Sequence, residues 1–129
     1  MSINIGIVMD PIESIKPAKD TSLAMLLEAE RRGWHIHYME QSDLYVVDGR
    51  ARASCRSLSV RDDHQDWYTL GESRDVSLTD LQVVLMRKDP PFDMEYIYAT
   101  YALELAEKEG TLIVNKPRSL REVNEKFFS

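Results

Sequence analysis

Four apolar residues, Val83-Val84-Leu85-Met86, stop abruptly at Arg87-Lys88-Asp89, and Pro90-Pro91 follow at once. A short continuous apolar run of this kind reads as a strand buried on both faces, because a half-exposed strand would alternate. Proline has no N–H to donate to a sheet ladder, so the strand ends before the pair. The charges therefore sit at its carboxyl end, the side on which open α/β sheets bind ligands. This stretch predicts a buried strand that delivers a cation and a carboxylate to a ligand-binding edge.

Two further apolar runs end in the same way. Residues 3–9 are rich in Ile and Val, with Gly6 leaving room for close backbone approach, and stop at Asp10-Pro11. Thr111-Leu-Ile-Val114 stops at Asn115-Lys116-Pro117. Between the first two strands, Asp20 or Thr21 caps a helix that runs to about Arg32, with Leu23, Leu26, Leu27 and Glu30 at helical spacing. Arg31 and Arg32 suit the negative helix terminus, and Gly33 stands where a left-handed residue belongs. A strand over 34–39 completes a βαβ unit, whose crossover length suits a parallel pair. If all three strands are parallel, Asp10, Arg87-Lys88-Asp89 and Asn115 converge on one edge. The simpler reading of each is a strand end that is polar because it meets solvent.

The middle of the chain differs. Leu44–Val47 and Arg50–Val60 flank Asp48-Gly49, a strong type I′ hairpin signal. Trp67–Leu70 reads as one more short strand, and Ser77–Asp80 as a turn or single helical turn. This predicts an antiparallel hairpin inserted in a mainly parallel sheet. After the opening strand, Asp93 caps a helix over about 94–109, and Met94, Ile97, Tyr101 and Leu105 mark the face expected to pack on the sheet. Packing of that kind accounts for Tyr101 without a ligand. Ser119-Leu-Arg-Glu122 is a capping box opening a last helix. That helix carries Phe127 and Phe128 with nothing to bury them, which predicts a domain belonging to a longer protein.

Bulk properties narrow the function. At 129 residues the chain suits one domain, and its net charge of −6 argues against a general nucleic-acid binder. One cysteine, Cys55, permits no internal disulfide, and no apolar run is long enough to span a membrane. The amino terminus lacks the basic region and the cleavage site of a signal peptide, so a cytoplasmic location is expected. His35-x-His37 places two imidazoles on one strand face but lacks a third ligand at suitable spacing. Cys55 sits between Arg52 and Arg56, yet a structural thiol is favoured because no base accompanies it. Arg50, Arg52, Arg56 and Arg61 are followed by Asp62, Asp63 and Asp66, which favours a solvated hairpin or subunit contact. No Gly-x-Gly-x-x-Gly or Gly-x-x-x-x-Gly-Lys-Ser/Thr phosphate cradle occurs.

Several strings extend the reading: Gly6-Ile-Val-Met-Asp-Pro11, Ser22-Leu-Ala-Met-Leu-Leu-Glu-Ala29, Leu85-Met-Arg-Lys-Asp-Pro-Pro-Phe-Asp93, Tyr96-Ile-Tyr-Ala-Thr-Tyr101, Gly110-Thr-Leu-Ile-Val-Asn-Lys-Pro117 and Asn124-Glu-Lys126. Together they resemble the amino-terminal domain of bacterial glutathione synthetases, enzymes of the ATP-grasp superfamily; residues 50–75 match least well. The resemblance implies an α/β fold with a three-layer, mainly parallel sheet, pre-ATP-grasp and Rossmann-like, carrying the inserted hairpin. It implies a substrate domain over 1–118 and, over 119–129, the start of a helix leading to an ATP-grasp domain beyond the chain.

The activity it implies is ligation of γ-glutamylcysteine to glycine through an acyl phosphate, with ATP and Mg²⁺, in a cytoplasmic homo-oligomer. By the same resemblance Arg87 belongs to the peptide-substrate site, Asp10 contacts the substrate's α-ammonium group, and Lys126 contacts nucleotide. The domain alone is then expected to be inactive. A non-catalytic domain that binds a small molecule or a subunit is the alternative. A flavodoxin-like or response-regulator-type domain fits less well, because the acidic cluster and phosphate loop of those folds are not evident.

Overall fold

The computed structural model describes residues 3–14, 21–63, 65–87 and 94–114. Seven strands form one sheet: β1 (Asn4–Met9), β2 (His35–Met39), β3 (Leu44–Val47), β4 (Arg50–Val60), β5 (Tyr68–Ser77), β6 (Val83–Arg87) and β7 (Leu112–Val114). Helix α1 (Thr21–Arg31) joins β1 to β2, and α2 (Met94–Lys108) joins β6 to β7. β2, β1, β6 and β7 lie side by side in that order, and each adjacent pair is parallel. Each face of this parallel half is covered by one helix. Leu23, Leu26 and Ala29 of α1 pack with Ile5, Ile7, Ile36 and Leu85. On the other face Ala99, Ala102, Leu103 and Ala106 of α2 pack with Val8, Met39, Val84 and Met86. The expected three-layer, Rossmann-like α/β architecture is therefore present.

β6 behaves as its apolar run requires. Val83, Val84 and Leu85 have no exposure and Met86 only 5%, so side chains on both faces of the strand are buried. Gly6 supplies close approach in the neighbouring strand: a Cβ there would lie 2.8 Å from Leu81 Cδ1 and 3.0 Å from Met39 Cε. Both helices end in Schellman geometry. Gly33 (φ 75°) donates to Glu30 O at 3.0 Å while Trp34 N–H reaches Ala29 O at 3.0 Å. Gly110 (φ 108°) and Thr111 repeat the pattern on Glu107 and Ala106. The caps expected at Asp20, Thr21 and Asp93 lie outside the described side chains, as does the whole of the expected helix from Ser119.

The insertion is larger than a hairpin. Asp48 (φ 52°) and Gly49 (φ 74°) make the expected turn between β3 and β4. The strand expected to stop at Leu70 continues to Ser77, however, so β3, β4 and β5 form a three-stranded antiparallel meander. β5 is mostly exposed, and its Glu72-Ser-Arg-Asp75 sequence conceals a strand, because an edge strand in water has little need of apolar residues. One edge of β4 holds β3 and then β2; the other holds β5. Opposite Ser57 the register shifts by one residue, and Gly71 lies there because a Cβ would come within 2.1 Å of Ser57 Oγ.

Three of the arginines in this region serve it internally. Arg52 pairs with Asp75 at 2.9 Å, Arg56 donates to Gly71 O at 2.8 Å, and Arg61 binds Asp66 at 2.9 Å. Leu78–Asp80 is the expected single helical turn.

The face of α2 is a correction. Met94, Ile97, Tyr98 and Tyr101, at helical spacing, are 42–77% exposed, and the sheet is met by three alanines and Leu103 instead, with only Leu105 of the expected residues packed beside them. Packing on the sheet thus does not account for Tyr101, which is 62% exposed. Small side chains let the helix lie close on the sheet; the larger ones point outward.

Candidate functional site

The parallel half fixes which strand ends meet. Met9 is paired with Arg87 in the β1–β6 register, so Asp10, the next residue of its chain, emerges beside Arg87 on the adjacent strand. Leu85 pairs with Val114, which brings the end of β7 to the same edge. Both Asp10 and Arg87 are partly exposed. The convergence expected from three polar strand ends is thus present for Asp10 and Arg87. Lys88, Asp89 and Asn115, expected at that edge, lie outside the described residues, as does Lys126.

The loop that carries Asp10 is anchored from two sides. After Pro11 the chain makes a single 3₁₀ turn, Ile12–Ser14, whose Ile12 side chain is fully buried. Ile12 N–H donates to Tyr38 Oη at 3.1 Å, and the Tyr38 hydroxyl donates to Glu40 Oε2 at 2.7 Å. Burial, reinforced by the hydrogen bond to Glu40, raises the Tyr38 pKa well above a phenol's usual value, so it stays a neutral donor. Tyr38 is the penultimate residue of β2, so the bond ties the β1 loop to the neighbouring strand.

Just beyond, Glu40 and Asp43 form a reciprocal capping box around a second 3₁₀ turn, Gln41–Asp43. Inside that turn Gln41 is 9% exposed, and among the described residues its Oε1 has no hydrogen-bond donor. A buried amide oxygen without a donor is costly, and such groups concentrate where a ligand or function uses them. Sequence reasoning missed Gln41, because a glutamine directly after a strand carries no pattern of its own.

The edge can hold a zwitterion. A guanidinium offers a forked pair of donors to a carboxylate, and a carboxylate one strand away offers an acceptor to an ammonium group. Among the described residues no three His, Cys, Asp or Glu side chains come together to ligate a metal. The Mg²⁺ implied by the resemblance thus finds no ligand set among the described residues of this domain.

The other candidates fall elsewhere. His35 and His37 line a polar cavity of about 630 Å³ with Asn4, Ser57, Glu72 and Arg74, at the amino ends of β1 and β2 and so opposite the Asp10–Arg87 edge. His37 Nε2 lies 3.1 Å from Asn4 Oδ1. Burial first, then His35 and Arg74, lower its pKa. Cys55 is 1% exposed and its thiol is pushed up to about 12 by burial, then by Asp43 and Asp75. The flanking arginines do not activate it, and it is a structural thiol.

A three-layer α/β sheet with charged side chains converging at the carboxyl ends of its parallel strands defines a Rossmann-like ligand-edge domain. The family follows from comparison with known proteins. Residues 3–121 match the model of the prokaryotic glutathione synthetase N-terminal domain, and the chain belongs to that family. It is 61% identical over 127 residues to the glutathione synthetase of Salmonella typhimurium, 63% to that of Photorhabdus laumondii and 59% to that of Escherichia coli K12. Each alignment covers 98% of this chain and 40% of the relative, so the chain spans about 40% of the length of these proteins. No helix of the described residues is long and apolar enough to cross a membrane.

Proposed function

We propose that this chain is the peptide-substrate domain of a cytoplasmic, ATP-dependent ligase that joins γ-glutamylcysteine to glycine. The Met9–Arg87 register carries this reading, because it sets Asp10 and Arg87 side by side at the ligand edge of a domain of this family. Arg87 holds a carboxylate of the dipeptide by paired N–H donors, and Asp10 receives the α-ammonium group. Two opposite charges at fixed positions select a zwitterion and set its orientation. The nucleotide is held mainly by the part of the protein that this chain does not include, and Lys126 supplies a contact to it from this chain. The domain by itself binds without turning over, and ligation needs the full-length protein.

The test is kinetic. In full-length protein, Arg87→Ala removes a charged contact worth about 3 kcal/mol, so kcat/KM for the dipeptide falls roughly 100-fold. The melting temperature changes little, because Arg87 ends its strand and is only partly buried. A collapsed melting temperature with unchanged kinetics would make Arg87 a structural residue and overturn the assignment.

A further inference from the structure

Asp10 is set in place from both directions along the chain. Before it, Met9 is buried and paired with Arg87 in the sheet ladder. After it the chain turns at once, and Ser14 donates its N–H and its hydroxyl to Pro11 O at 2.9 and 2.6 Å. Pro11 and Ser14 are exposed, so the bonds within the turn do not fix where it lies against the sheet. Ile12 does. Its side chain is fully buried in the same core cluster as Ile7, Ile36 and Tyr38. Its N–H opens a helical turn and so has no acceptor within it; the acceptor is Tyr38 Oη, at 3.1 Å.

Packing alone does not explain why residue 38 is a tyrosine. Its ring is 4% exposed in the core beneath α1, and a phenylalanine would fill the same space. The hydroxyl adds a fixed point beyond the end of β1: Tyr38 is paired with Ile7, yet its oxygen reaches forward to Ile12. That oxygen is itself held. It donates to Glu40 Oε2 at 2.7 Å, and Glu40 N–H donates to Asp43 Oδ2 at 2.8 Å. With its proton committed to Glu40, the hydroxyl keeps a lone pair aimed at the Ile12 N–H.

We infer that Tyr38 is a positioning residue for the substrate: through Ile12, its hydroxyl sets where the Asp10 carboxylate stands relative to Arg87. It thereby governs recognition of the dipeptide's α-ammonium group without touching the substrate. This role rests on the assignment of Asp10 to that ammonium group. The two charges of the edge are held differently. Arg87 ends a strand flanked by β1 and β7, so the sheet itself sets its position. Asp10 lies two residues before the anchored Ile12. Without the hydroxyl, the Ile12 N–H is buried with no acceptor, and the turn must shift until that group meets water. Asp10 shifts with it, and a displacement of about 1 Å at a positioned charge costs a large factor in recognition. The ammonium contact is weakened and the carboxylate contact is spared.

Steady-state kinetics of full-length protein that carries this domain test the role. The probes are γ-glutamylcysteine and glutarylcysteine, the same dipeptide without its α-amino group. Tyr38→Phe is expected to raise KM for γ-glutamylcysteine roughly 10-fold and to leave kcat, and KM for glycine and ATP, within about twofold. KM for glutarylcysteine, which offers Asp10 no ammonium group, should not move. Asp10→Asn should also raise KM for γ-glutamylcysteine, and adding Tyr38→Phe to it should change little further, because the hydroxyl acts through the carboxylate. Glu40→Leu removes the hydroxyl's acceptor and should act in the same direction, whereas Glu40→Gln keeps an oxygen there and should retain the wild-type KM. That pair decides the matter if Tyr38→Phe fails to fold, and equal KM values in the two would overturn the inference. A lowered melting temperature with unchanged KM would make the hydroxyl purely structural. An equal rise in KM for both peptides, or effects of Tyr38→Phe and Asp10→Asn that simply multiply, would overturn the inference as well. Wild-type kinetics in Asp10→Asn would remove Asp10 from the substrate site and overturn both its assignment and this role. A raised KM in Asp10→Asn beside an unchanged one in Tyr38→Phe would overturn this role alone.

Discussion

Gln41 is the residue whose chemistry is out of balance. Its side-chain oxygen is buried without a donor among the described residues, just beyond β2 and therefore on the same edge of the parallel sheet as Asp10 and Arg87. Tyr38, two residues before Glu40, shows the opposite condition: its hydroxyl both donates and accepts, and so locks the loop after Asp10. A protein gains by removing an orphaned acceptor unless something else uses it. Gln41→Leu, close in volume, should therefore raise stability by about 1 kcal/mol, a few degrees in melting temperature. If the oxygen serves the substrate edge, the same substitution lowers kcat/KM of the full-length protein. A melt and a rate measured on one preparation separate the two roles. Lower stability at full activity would show that the amide is an ordinary packing group.

Among the elements, the helix ends are set by backbone conformation alone. At Gly33, φ is 75° and nothing lies within 4 Å of a built Cβ, so an added methyl meets no neighbour. The cost of Gly33→Ala is then the left-handed backbone itself, about 1 kcal/mol, to be read as a lower urea midpoint with an unchanged slope. Gly6 is the converse, with an ordinary backbone but Leu81 and Met39 crowding the Cβ position. These glycines could be read in the sequence because their neighbours set the register: a polar helix end before Gly33, a β-branched strand around Gly6. β6 was equally plain, since four apolar residues in succession admit few other placements. The outward face of α2 was not. Periodicity draws attention to the largest apolar residues, and in α2 these are Met94, Ile97, Tyr98 and Tyr101, whereas contact with the sheet selects alanine. β5 was half hidden for a related reason, because its polar residues answer to water on an edge. At the site, Arg87 and Asp10 were visible as strand ends, but their adjacency needed the β1–β6 register, which no local pattern encodes.

For the molecule as a whole, acid should loosen the fold in two steps that involve different groups. His37 has its pKa lowered, mainly by burial, so below 6.5 the unfolded chain takes up a proton that the folded one resists. Its contribution to stability is complete above that pH and declines as pH falls through the interval down to its lowered folded value. Glu28 is held down to about 2 by hydrogen bonds from Arg31 and then Arg32. The stability it contributes is present above 4.5 and is lost as pH falls toward 2, although exposure to water and salt keeps that contribution small. Asp75, lowered by Tyr45 and then Arg52, acts in the same direction as Glu28. Urea midpoints measured from pH 7 downward should thus begin to fall just below 6.5 and fall further below 4.5. His37→Gln should remove the upper step and leave the lower one, whereas Glu28→Gln should weaken the lower step and reduce its sensitivity to salt. If His37→Gln left the slope between 6.5 and 4.5 as it was, the half-buried imidazole beside Asn4 would not be the group that titrates there.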